Sequence, residues 1–278
     1  MAFRSRANRD TGTQPPVRRG YFECRYGQLH VRNAMPPGGG FEEGTTLLCL
    51  HEAPLTGRMF EGVQRILGRD RSVYAPDLPG FGESDAPTAQ PKIEDYAAAM
   101  GDFLDTMRLR QIDVMGCQTG ALIAAELAIV RPAQVRRVTL VAVPALNDAE
   151  RGEFARSPWP RPASEDGSHL QPEWRRATAA TKRPMPPEVA ARRFAAMLYN
   201  GAHASWGMHA ATQYPASRLA LVTQPVLLLR SADEFWEPTL RVRELLPKAR
   251  ILDFSEYGAG LCETAPEAVA DAVAAFLR

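Results

Sequence analysis

Apolar and polar positions in this chain follow two periods that take turns along its length. Thr45 to Leu50 (TTLLCL) is a short uncharged run ending at His51, the pattern of a strand buried on both faces. A helix is predicted from Arg58 to Leu67, and Ser72 to Pro76 supplies the next strand. Ile93, Tyr96, Ala97, Met100, Phe103, Leu104 and Met107 then recur at helical spacing as one apolar stripe. Ile112–Met115 predicts a strand, Ala121–Val130 a small-residue helix and Val138–Val143 a further strand. Upstream, residues 21–34 (YFECRYGQLHVRNA) alternate around Gly27 as a hairpin does. Downstream, Val226–Leu229 and Ile251–Phe254 are strand runs, and Val269, Val273 and Phe276 mark a closing helix. Strand alternating with helix predicts an α/β fold, its mostly parallel sheet covered by helices on both faces.

Between Pro144 and Arg218 the pattern changes. The stretch is rich in Pro, Trp and Arg and keeps helical spacing, with Ala190, Phe194, Met197 and Leu198 on one face and Gly201 placed as a C-cap. The predicted organisation is a flexible tail over 1–19, a core formed by 20–143 and 219–278, and a helical insertion over 144–218.

Composition narrows the class. Of 278 residues, 45% are hydrophobic and 23% charged, ordinary for a soluble globular chain with a sizeable core. Lys and Arg number 33 against 32 Asp and Glu, a net charge of +1, so no global field draws the chain to nucleic acid or an anionic membrane. The tail carries Arg4, Arg6, Arg9, Arg18 and Arg19 but no apolar run, so no secretory signal is expected, and no stretch approaches the ~18 apolar residues of a membrane span. Cys24, Cys49, Cys117 and Cys262 lie far apart, which argues against a metal ribbon or disulfide scaffold and fits a reducing, cytoplasmic setting. No His, Cys and carboxylate cluster has metal-ligand spacing. Gly80 and Gly82 lack the strand–helix context of a dinucleotide loop, so no cofactor is predicted.

The most informative segment is Val114-Met115-Gly116-Cys117-Gln118-Thr119-Gly120-Ala121, a strand running through Gly-x-x-x-Gly straight into a helix. That is the context of a nucleophile elbow, whose middle residue points off the top of the sheet. Three companion segments stand in the right order around it, two before and one after: LLCLHEAPLTGRMFEGV around His51–Pro54, VYAPDLPGFGESD over Val73–Asp85, and VLLLRSADEFWEP followed by YGAGLCETAPEAVADAVAAFL. Together the four segments resemble the α/β-hydrolase superfamily of the capped type, from Gly20 to Arg278. The resemblance implies an eight-stranded-type sheet, an oxyanion loop at His51–Pro54, an acid at the end of the Val226–Leu229 strand, and a cap formed by the 144–218 insertion.

Against that pattern the triad is degenerate. Gln118 stands where the family carries its nucleophile, and an amide has no proton to lose near neutral pH. Aligning on Glu263-Thr264-Ala265-Pro266 puts Ala259 at the histidine position. Asp233 and Glu234 remain at the acid position, Glu234 favoured by spacing, and Glu52 replaces the usual glycine after His51. Losing a triad's nucleophile or base costs about 10⁶ in rate, so serine-type ester hydrolysis is not the expected activity. Cys117 precedes the elbow apex and is expected to point back into the sheet. His30 is expected on the surface and His51 in a structural role within the loop, while His203 and His209, in the insertion, are secondary candidates for facing the pocket. Trp206, Trp236 and Tyr257 are candidate pocket walls.

Three functions stay open. In the first, Gln118 with Glu234 or Asp233, or Glu52 in place of either as acid or base, carries acid–base or binding-driven chemistry of lyase, cyclase or isomerase type on a small organic molecule held by His51, Glu52, Ala53, Thr119, Trp236 and Tyr257. The second is a non-catalytic binding module, and the third a hydrolase whose water is activated by a carboxylate. All take a small-molecule partner and need no metal, membrane or nucleic acid.

Overall fold

A computed structural model describes residues 14–37, 44–156, 163–179 and 185–278. Its sheet has eight strands in the order β1-β2-β4-β3-β5-β6-β7-β8. They are β1 (Arg18–Cys24), β2 (Gly27–Ala34), β3 (Gly44–Leu50), β4 (Arg71–Pro76), β5 (Ile112–Cys117), β6 (Val135–Val141), β7 (Val226–Ser231) and β8 (Arg250–Phe254). β1 and β2 form the antiparallel hairpin expected from the alternation, turning at Gly27 with φ 111°, and β2 runs antiparallel to β4. All other pairings are parallel. The α/β fold with its mostly parallel sheet is the one the alternation predicts.

The uncharged strand runs are explained by two cores. In β3, Leu48 and Leu50 pack into one cluster while Leu47 and Cys49 pack into the other, as period-2 alternation requires of a strand covered on both faces. α1 (Glu61–Leu67) and the terminal α10 (Pro266–Leu277) cover one face; α2 (Ile93–Thr106) and α3 (Thr119–Val130) cover the other. α3 is apolar around its whole circumference because the sheet lies on one side and α2 and further helices on the other.

Boundaries differ from expectation in informative ways. β6 stops at Val141 rather than Val143 because Ala142 takes φ 50°, off the strand conformation. The helix expected from Arg58 opens as a 3₁₀ turn, Gly57–Phe60, before α1. Arg18 and Arg19, assigned to the tail, open β1 opposite Asn33 and Arg32, while the rest of that tail up to residue 13 lies outside the described residues.

Between β6 and β7 the described residues form helices: α4 (Asp148–Arg156), α5 (Leu170–Ala179), α6 (Pro187–Asn200) and α7 (Trp206–Gln213). Gly201 closes α6 at φ 50°, a conformation that favours glycine. The remaining helices are α8 (Trp236–Leu245) and α9 (Leu261–Thr264). Among the described residues no helix is long and apolar enough to cross a membrane.

Candidate functional site

The turn from β5 into α3 is strained. Gln118 sits at φ 47°, ψ −113°, its N–H donating to the Val141 carbonyl at 2.9 Å. A non-glycine residue at positive φ costs on the order of 1–3 kcal/mol and persists only where its surroundings enforce it. Here the two glycines enforce it by close approach. A Cβ on Gly116 would lie 2.0 Å from the Gly120 carbonyl oxygen, and one on Gly120 would lie 2.1 Å from that of Leu50. Gln118 therefore stands at the apex, 7% exposed. Beside it, the Thr119 hydroxyl is buried without a hydrogen-bond partner among the described residues. Cys117 points back into the core, its Sγ 3.5 Å from that of Cys262. Burial and that contact raise its thiol well above the ordinary range, so no thiolate nucleophile forms there.

The loop after β3 is fixed by neutral hydrogen bonds. His51 is fully buried, its Nδ1 donating to the Glu52 carbonyl (2.9 Å) and its Nε2 accepting from the Leu78 N–H (2.8 Å). Burial lowers its basicity, and with both nitrogens engaged it splices the β3 and β4 loops together, the structural role expected for it. Next to it, Asp77 accepts from Gly57 N–H (2.8 Å), Glu83 N–H (3.2 Å) and His30 Nδ1 (2.9 Å). His30, expected on the surface, is buried because this carboxylate holds it. Gly82, at φ 56°, closes the network, since a Cβ there would fall 2.2 Å from Asp77 Oδ2.

A different chemistry gathers on the other side of the apex. Arg193, from α6, pairs with Glu52 beside His51 and with Glu263 of α9, the latter at 2.6 Å. Burial works against the Arg193 charge, but the two carboxylates outweigh it and hold the guanidinium protonated. Asp233, just past β7, is 4% exposed; Ser231 Oγ donates to it at 2.6 Å and Phe235 N–H at 2.8 Å. Burial, assisted by the Glu52 charge, raises its carboxyl to about 6. Burial also raises Glu263, against the pull of Arg193. Glu52 and Glu263 thus share one guanidinium, with Asp233 close enough to feel the Glu52 charge, and Asp233 and Glu263 hold a proton more readily than they would in water.

The remaining candidates divide. Asp233 is buried at the carboxyl end of the sheet, whereas Glu234, preferred by spacing, is exposed; the turn after β7 directs the first inward and the second outward. Trp236 lies under the Arg230 guanidinium, 3.9 Å from carbon to ring centroid, so its ring is engaged with β7. Tyr257 is half-buried and its carbonyl accepts from Ala232 N–H (2.7 Å), pinning the segment that carries Asp233. Ala53 is buried under α7, where Gly207 permits the approach: a Cβ on that glycine would meet the Ala53 Cβ at 2.3 Å. His203 packs on Trp206, ring centroids 4.2 Å apart, and His209 is exposed. Residues the sequence reading did not single out are Arg193, Glu263, Asp77 and Asn200. Asn200, at the end of α6, donates to the Pro54 carbonyl (2.6 Å) and accepts from Gly82 N–H (2.8 Å), tying the insertion to both loops. Asp77 had a legible signal, a carboxylate directly after a buried strand and before a Pro-Gly turn. Arg193 had none, because one arginine among the many of the insertion looks like solvated surface.

A sharp strand-to-helix turn at the carboxyl end of a mostly parallel sheet, facing a helical insertion after β6, defines an α/β-hydrolase architecture. The family model "Alpha/beta hydrolase family" matches residues 39–272, and the chain belongs to that family. Among curated proteins, 2-hydroxymuconate semialdehyde hydrolase of Pseudomonas sp. (strain CF600) is 38% identical over 76 residues, 27% of each chain. An uncharacterized protein of Mycobacterium tuberculosis is 31% identical over 99 residues, 36% of this chain and 29% of its own. Each match thus spans under a third of the curated relative's length. Among solved structures, the enol-lactonase of Burkholderia xenovorans LB400 aligns with a TM-score of 0.71 at 15% identity, covering 93% of this chain and 99% of its own. A thermophilic esterase from Thermogutta terrifontis gives 0.69 at 19%, covering 94% and 98%.

Proposed function

We propose that this chain handles a small organic molecule in a capped pocket without a covalent nucleophile, by acid–base chemistry of lyase, cyclase or isomerase type. The observation that carries the reading is the combination of an amide at the elbow apex with a buried carboxyl, Asp233, raised to about 6. An amide donates and accepts hydrogen bonds but forms no acyl intermediate. A carboxyl near 6 is divided between both protonation states close to neutrality, which is what a general acid or base needs. In the parallel register Cys117 lies beside Val141 and Val141 beside Leu229, so Gln118 and Asp233 leave the sheet at the same end. The Gln118 amide and the orphan Thr119 hydroxyl are the groups that would orient the ligand, with Asp233 exchanging the proton and the insertion acting as the cap.

Fluorophosphonate probes are expected to leave the protein unlabelled, and stoichiometric labelling near the elbow would overturn the reading. Gln118→Ser is expected to yield no esterase, since Ala259 supplies no base; robust turnover by that variant would reveal another. Small molecules that co-purify are to be identified by mass spectrometry and returned to the protein. Products that have gained water would establish hydrolysis instead. A second reading, a binding module without turnover, is favoured by Arg193, which engages both Glu52 and Glu263 and ties the insertion to the core. Retention of the identified molecule without conversion would select it.

A further inference from the structure

Beside the charged cluster lies a cavity of about 320 Å³ between the Gly57–Phe60 turn with α1, the inserted helix α6, and α9. Its size is at the lower end for small-molecule sites. Four arginines line it: Arg58 and Arg65 from the core side, Arg192 and Arg193 from α6. Two are neutralised in place. Arg65 pairs with Glu61 at 2.8 Å, and Arg193 is held between Glu263 and Glu52. The other two, Arg58 and Arg192, make no side-chain hydrogen bond or ion pair among the described residues; Glu61 and Glu263 act on them only at longer range, so the four arginines outnumber the two carboxylates of the lining. Leu55, Met59 and Ala196 add apolar surface to a lining that also carries Thr56, Glu61 and Glu263.

We propose that this cavity binds a small organic acid, its anionic group held by Arg58 and Arg192 and its apolar body laid against Leu55, Met59 and Ala196. A guanidinium presents a planar fork of donors that suits a carboxylate, and two from opposite walls make a clamp rather than a point charge. The three apolar side chains favour an acid with an organic body over a bare inorganic anion, which would leave them uncovered. Because Arg58 belongs to the core and Arg192 to the insertion, the same anion bridges the two parts. The site is separate from the elbow: neither Gln118 nor Asp233 lines the cavity.

Isothermal titration of the full chain at low ionic strength tests this with benzoate, inorganic phosphate and the neutral analogue benzyl alcohol. Saturable one-to-one binding of benzoate is expected, with benzyl alcohol and phosphate both weaker. The double variant Arg58→Ala/Arg192→Ala should lose about tenfold or more in benzoate affinity. Both side chains are exposed, so its melting temperature should match the parent's, and the lysine double variant should recover part of the affinity. Gln118→Ala should bind benzoate as the parent does. Absence of saturable benzoate binding, undiminished binding by the alanine double variant, or equally tight benzyl alcohol or phosphate would each overturn the proposal. So would a loss confined to Gln118→Ala, which would move the acid to the elbow and leave the proposed reaction standing.

Discussion

Asp77 and Asp233 are both buried carboxylates at strand ends of one sheet, and they have opposite electrostatics. Asp77, after β4, faces backbone N–H groups and His30, and although burial pushes its carboxyl up, these donors prevail and hold it below the ordinary range. Asp233, after β7, has two donors and a neighbouring Glu52 charge, and burial wins. The difference lies in how completely each charge is answered. A carboxylate surrounded by fixed donors is a structural part that never changes state near neutrality. One left short of positive charge is where a proton can come and go.

The contrast can be broken most forcefully at Arg193. Arg193→Met leaves Glu52 and Glu263 buried without their cation, and urea denaturation should show a loss of about 3–5 kcal/mol. A loss below about 1 kcal/mol would mean that the carboxylates protonate at little cost and the cluster is not short of charge. Asp233 comes next. Its folded-state proton affinity exceeds that of the unfolded chain, so the folded state binds more protons between about pH 4 and 6, and stability falls as pH rises through that window. Asp233→Asn should remove that slope and recover up to roughly 3 kcal/mol at pH 7, with little change at pH 4. In the proposed reaction the same variant should be inactive.

Asp77 sharpens the comparison from the other side. Its depressed carboxyl adds stability that is present above about pH 4 and lost as pH falls below it. Asp77→Asn, which weakens the accepted hydrogen bonds, should cost about 1–3 kcal/mol at pH 7 and progressively less in acid, as melting curves across pH would record. The smallest effect is expected at the apex. Gln118→Gly relieves the positive φ but loosens the unfolded chain, so the net change should be a stabilisation below about 1 kcal/mol.

Much of the framework was readable in the sequence because its causes are local. TTLLCL carries its two-sided burial in its own uncharged pattern, and Gly116 meets the Gly120 carbonyl four residues on; both signals are written within a few residues. The charged cluster was half readable. Asp233 and Glu52 stood out as carboxylates beside motif positions, but choosing between Asp233 and Glu234 depends on how the turn after β7 is aimed, which counting residues does not resolve. Arg193 meets Glu52 across 141 positions of chain. Such a pairing is decided by how α6 docks, so neither its burial nor its partners have a local signature. The same reason hides His30, whose neighbour Asp77 lies 47 positions away.

Asn200 adds a mechanical consequence. It ends α6 while Arg193 sits seven residues earlier, about 10 Å along the axis at 1.5 Å per residue. The helix is therefore bolted at two places, to Glu52 and Glu263 at one and to Pro54 and Gly82 at the other. A rod fixed at one point can swivel; fixed at two, it can neither roll nor slide without releasing both. If the proposed pocket is entered by lifting α6, opening would then be all-or-none, whereas a route past α4 or α5 would leave both bolts in place.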